Sequence, residues 1–155
     1  AAYVMAQSYV AAGQQARALE ILNAAFDAEH PQLDALLLLT NLMLETKNYA
    51  ELERLATLGQ ERFPLDASWF AGLAVAYRES VQHDKLTAVL TRLAEGDSDD
   101  PAIRVELAKL ARDRNDLTTA GRWALNALHI DVMNMDAREI LASSRAKPGG
   151  GAGKR

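Results

Sequence analysis

The stretch NYAELERLATLGQERFP, Asn48 to Pro64, decides the fold. It opens with a helix-capping asparagine, and Glu51 follows three residues later in capping-box spacing. It closes on a proline that stops a helix. Between them runs a helical pattern with one anomaly, Gly59 in its interior. Glycine there costs roughly 1 kcal/mol relative to alanine. A close approach by another element would explain it.

Working outward from this helix exposes a period of 34 residues. One column runs Met5, Leu39, Leu73, Leu107, Leu141, and its neighbour runs Ala6, Thr40, Ala74, Ala108, Ala142. Further columns hold Tyr9, Met43, Tyr77, Ala111, then Ala18, Leu52, Leu86, Ala120, then Ala25, Gly59, Leu93, Ala127. The columns are almost wholly apolar or small, and they align without an insertion. Such self-similarity marks a repeat array.

Each repeat carries two helices. The pattern predicts helices over 2–12, 16–29, 32–46, 49–62, 67–80, 83–94, 101–113, 117–130 and 135–146. Pro31 suits a first helical turn. Asp100 reads as a cap with Pro101 as the first helical residue, Asp116 starts the following helix, and Gly13 ends the first. The repeats fall at about 1–31, 32–66, 67–100 and 101–134, with 135–146 as a capping helix. Residues 147–155, KPGGGAGKR, have flexible-linker composition.

Paired helices at this period, with small residues recurring where they cross, resemble tetratricopeptide repeats. The first repeat carries the resemblance through Met5, Ala6, Tyr9, Gly13, Ala18, Leu22 and Ala25. The fourth carries it through Leu107, Ala108, Ala120, Ala124 and Ala127. The middle repeats are looser, with Leu52, Leu86 and Leu93 at sites usually small. The implied fold is all-α: a right-handed α-solenoid of four helix-turn-helix repeats with a C-terminal capping helix. Gly59 then sits at a helix crossing, where it offsets the volume of Leu52.

Composition narrows the function. The chain has 155 residues, 49% hydrophobic and 25% charged, with a net charge of −4. That balance argues against a nucleic-acid partner, which calls for a basic surplus. There is no cysteine, so thiolate chemistry and disulfides are excluded. No apolar run approaches the ~18 residues of a membrane span, so no membrane insertion is expected. The compartment stays open between cytoplasm and periplasm. The sequence starts inside a helical pattern, as a segment of a longer protein would.

The tail GGGAGKR mimics a phosphate loop only superficially. Pro148 stands where its first glycine belongs, and Arg155 replaces the Ser or Thr. His30, His83 and His129 lack the four-residue spacing of a helical metal pair. No serine lies in a nucleophile elbow, and no carboxylate pair stands in an evident apolar pocket. Trp69 and Trp123 read as packing residues. No cofactor is expected and no catalysis.

The resemblance implies that the first helix of each repeat lines a concave groove. Residues 34 apart then lie side by side: Tyr3, Leu37, Ala71, Val105, Glu139; Gln7, Asn41, Val75, Lys109, Ser143; and Val10, Leu44, Arg78, Arg112, Ala146. The groove reads apolar at Leu37 and Leu44 and basic at Arg78, Lys109 and Arg112, with Asn41 between the leucines. Either Leu37 and Leu44 merely pack between adjacent helices, or they form a binding patch. Some family members clamp chaperone C-terminal carboxylates. Here Asn41 matches one clamp asparagine, but Leu37, Gly72, Ala102 and Glu106 stand at its other sites, which disfavours that ligand. The expected function is a noncatalytic protein-interaction scaffold, binding a peptide or helix with an apolar anchor followed by acidic residues. The alternative is an accessory segment of an enzyme whose catalytic domain lies elsewhere.

Overall fold

A computed structural model describes residues 1–96 and 99–146. The Gly-rich tail, 147–155, lies outside the described residues. Among those described there are nine helices and no strand: α1 (Ala2–Ala11), α2 (Gln15–Ala25), α3 (Leu33–Glu45), α4 (Tyr49–Arg62), α5 (Ser68–Glu79), α6 (His83–Glu95), α7 (Pro101–Asp113), α8 (Leu117–Ile130) and α9 (Met135–Arg145). The chain divides into two compact units, Ala1–Val89 and Leu90–Arg155.

The 34-residue period reappears as backbone geometry. Gly13, Lys47, Val81 and Asn115 all have left-handed φ, at 72°, 57°, 57° and 61°. Each ends the first helix of a pair. The residue that follows donates its N–H back to a carbonyl five positions earlier: Gln14 to Tyr9, Asn48 to Met43, Gln82 to Tyr77 and Asp116 to Ala111, at 2.8–2.9 Å. This is the Schellman closure, which satisfies the orphan carbonyls of a helix end. Only Gly13 occupies that conformation without a Cβ penalty.

Helix starts follow the capping residues. Asn48 Oδ1 accepts from the Glu51 N–H (3.4 Å), Asp100 from Ala102 (2.8 Å), Asp116 from Thr119 (3.0 Å) and Asn134 from Ala137 (3.0 Å). The capping box at Asn48 is only half made. The Glu51 carboxylate turns to Arg54 instead, at 2.6 and 3.0 Å, and that bond holds its pKa below the usual range. Two boundaries differ from the sequence pattern. Helix α2 stops at Ala25 rather than 29, because Asp27 Oδ1 accepts from the Glu29 and His30 N–H groups and closes a side-chain turn. Pro31 lies before the α3 cap at Gln32 and not in the first helical turn.

In the first unit, Leu36, Leu39 and Leu42 of α3 and Leu52 and Leu55 of α4 form the buried centre with Trp69 of α5. In the second, α7 and α8 cross on alanines. Ala108, Ala111, Ala120, Ala124 and Ala127 are all buried, with Ile140 of α9 and the flank of Trp123 closing the cluster. Small residues here let the helix axes approach and still fill the space.

Gly59 is explained by an aromatic ring. A Cβ at that position would lie 2.6–2.7 Å from the Trp69 indole. The ring presses flat on the α4 backbone, is 2% exposed, and donates its Nε1–H to the Phe63 carbonyl at 3.1 Å. The glycine therefore makes room for Trp69 of the next helix pair, and not for Leu52.

Candidate functional site

Within the first unit, α3 lies beside α5, and between them opens a cleft of about 340 Å³. One wall is Leu37, Asn41 and Leu44 of α3. The facing wall is Ala71, Gly72 and Val75 of α5. The buried residues Thr40, Leu52, Ala56 and Trp69 also line it and form its base. Gly72 keeps the α5 wall low, since a Cβ there would meet nothing nearer than Leu52 Cδ1 at 4.0 Å.

The cleft is uncharged: no residue lining it is ionisable. Its polar groups are few. The Thr40 hydroxyl donates to the Leu37 carbonyl at 2.8 Å, and the Ser68 hydroxyl bonds Asp66. Asn41 is exposed, and its amide makes no hydrogen bond among the described residues. It is the polar group in the wall left open to a ligand. An amide that both donates and accepts matches a peptide unit. Leu37 and Leu44 are half-buried. They pack against the helices and still present surface to the cleft, so packing and lining are not exclusive.

The six residues singled out in the sequence thus fall into two groups. Leu37, Asn41 and Leu44 share one wall, and Arg78 stands exposed on α5, three residues beyond Val75. Lys109 and Arg112 belong to α7 of the second unit. Their charge is partly matched: Lys109 Nζ donates to Asp136 Oδ2 of α9, and Arg112 Nε lies 3.7 Å from Asp113 Oδ1. The Lys109 bond lowers the Asp136 pKa. Val105 and Lys109, the same columns as Ala71 and Val75, line a second, more polar cleft with Glu106 and Asp136. The sequence columns missed the base of the first cleft. Trp69 lies ten residues from Gly59, and that unexplained glycine was the one signal of a ring against α4.

Among the described residues no group of His, Asp and Glu is arranged to hold a metal ion, and no helix is long and apolar enough to cross a membrane.

Paired helices with a left-handed turn every 34 residues, and a cleft between consecutive first helices, define the class: this is the tetratricopeptide-repeat fold. No family model matches the chain, and no curated protein does. Solved structures do. The MamA AMB-1 structure superposes with a TM-score of 0.74 at 18% identity, over 92% of this chain and 78% of that one. A putative kinesin light chain from Podosopora anserina, with nearly identical TPR-like repeats, gives 0.57 at 19%, over 92% and 83%. PcrH, in a crystal structure with the chaperone binding region of PopB, gives 0.53 at 15%, over 72% and 90%. At these identities the likeness is one of fold.

Proposed function

We propose that the chain is a noncatalytic protein-interaction module that holds a peptide or helix of a partner protein in the α3/α5 cleft. The observation that carries this reading is the cleft's chemistry: apolar walls, no ionisable group, and one uncommitted amide at Asn41. Such a site takes an apolar anchor and a stretch of backbone, with a few placed polar groups fixing orientation. Arg78, one turn past Val75, favours a partner whose anchor is followed by acidic residues. Arg112 and Lys109, on α7 of the second unit, are candidate contacts for acidic residues in their own right, Lys109 the weaker because Asp136 already holds it. The fold is shared with PcrH, which binds a segment of PopB, and this supports capture of a protein segment as the mode.

The test is panning of a random-peptide phage library against the chain and against Leu37→Asp. The expected consensus is a bulky apolar residue followed by Asp or Glu, enriched on the parent and not on the variant. Asn41→Ala should weaken the enriched peptides by roughly 0.5–1.5 kcal/mol. Arg78→Glu should weaken them more at low salt than at high salt, because rim charges are screened. Equal enrichment on Leu37→Asp would refute the assignment.

A further inference from the structure

The loop between α4 and α5 carries the chemistry that the cleft selects. Leu65 at its tip is 100% exposed, the most exposed of the chain's large hydrophobic residues. Asp66 follows it directly. The loop is also well fixed. The Asp66 N–H donates to the Phe63 carbonyl at 3.2 Å, the Ser68 N–H donates to Asp66 Oδ1 at 2.9 Å, and the Trp69 indole N–H ties the same Phe63 carbonyl at 3.1 Å. Pro64 restricts the backbone before the leucine. An anchor already held in one conformation loses little entropy when it docks. Leu65 does not use the cleft of its own chain, since it is fully exposed.

We propose that the α3/α5 cleft of one copy takes Leu65 of a second copy, so that the chain self-associates. This rests on the reading of the cleft as a binding surface and names its occupant. The apolar side chain meets Leu37, Leu44 and Val75, and the loop backbone meets the open amide of Asn41. The carboxylate of Asp66 follows toward the Arg78 side of the acceptor. Loop and cleft are different surfaces of the same unit, so the contact is heterologous. Each copy offers one loop and accepts one, and association extends beyond a pair into rings or open chains.

The test is sedimentation velocity of the full chain from low micromolar to near-millimolar concentration, with Leu65→Asp as the loop variant and Val75→Asp as the cleft variant. Both positions are exposed, and circular dichroism checks that both variants remain helical. The parent should gain mass with concentration, while each variant alone stays at 16.9 kDa. An equimolar mixture of the two variants should form a species of twice that mass and nothing larger, because Val75→Asp still offers its loop and Leu65→Asp still offers its cleft. A parent that stays monomeric throughout, association indifferent to either substitution, or a mixture that remains monomeric would overturn the proposal. Library peptides that bind the parent through Leu37 while the parent stays monomeric would overturn self-association alone. Failure of both experiments would remove the binding site as well.

Discussion

Val81 sits at φ 57°, a region that costs a side-chain-bearing residue about 1–2 kcal/mol, and a β-branched side chain tolerates it least. Lys47 and Asn115 hold the same register with side chains better suited to it. Val81→Gly is therefore expected to raise stability by roughly 1 kcal/mol, net of glycine's greater entropy when unfolded. Urea denaturation checks this; a lower midpoint would show that the Val81 side chain contributes packing. Gly59→Ala should act the other way. Its Cβ would enter the Trp69 ring, and overpacking of about 1–3 kcal/mol outweighs the gain in helix propensity. Gly72→Ala meets no such obstacle and should be neutral or stabilising. At this scale the sequence exposed the anomaly but not its cause. Gly59 was visibly misplaced in a helix, and its column led to Leu52. The ring that fills the space comes from a helix one turn-and-loop later, where no periodic column points.

Among the helices, the crossing of α7 on α8 is the most sensitive packing. Ala108 is 0% exposed between alanines of both helices, so Ala108→Leu should cost about 1–3 kcal/mol. An unchanged denaturant midpoint would contradict the crossing. In the first unit, Tyr77 of α5 is bonded to Glu53 of α4, which also pairs with Lys85 of α6 at 2.6 Å. Burial, then the Glu53 bond, pushes the Tyr77 pKa from 10.0 to about 12. The folded protein holds this proton more tightly than the unfolded one. The contribution is complete below pH 10 and is lost as the pH rises from 10 through 12. Tyr77→Phe should flatten the alkaline fall in denaturation midpoint across that window, and an unchanged fall would contradict the assignment. Helix starts were legible because Asn48, Asp100 and Asp116 cap by local rules. The end of α2 was not, since the Asp27 side-chain turn competes with a helix of equal local quality.

On the scale of the molecule, nearest-neighbour packing gives an array whose parts are stabilised pair by pair, so unfolding need not be two-state. The alanine crossing of the second unit and the leucine-rich centre of the first should melt at different denaturant concentrations. The walls of the cleft were readable from the 34-residue rows, because Leu37 and Ala71, and Asn41 and Val75, are each one period apart. Its neutrality was not readable, since the Leu44 row continues to Arg78, which the structure leaves outside the lining. The central claim is that a partner segment lies between α3 and α5. Its most direct test is a ¹⁵N–¹H correlation spectrum of the chain titrated with a library-enriched peptide. The account predicts that the Asn41 side-chain amide and the backbone amides of Ala71, Gly72 and Val75 shift most. Shifts centred instead on the outer helices, around Arg54 of α4 or Arg122 of α8, with α3 and α5 unmoved, would contradict it.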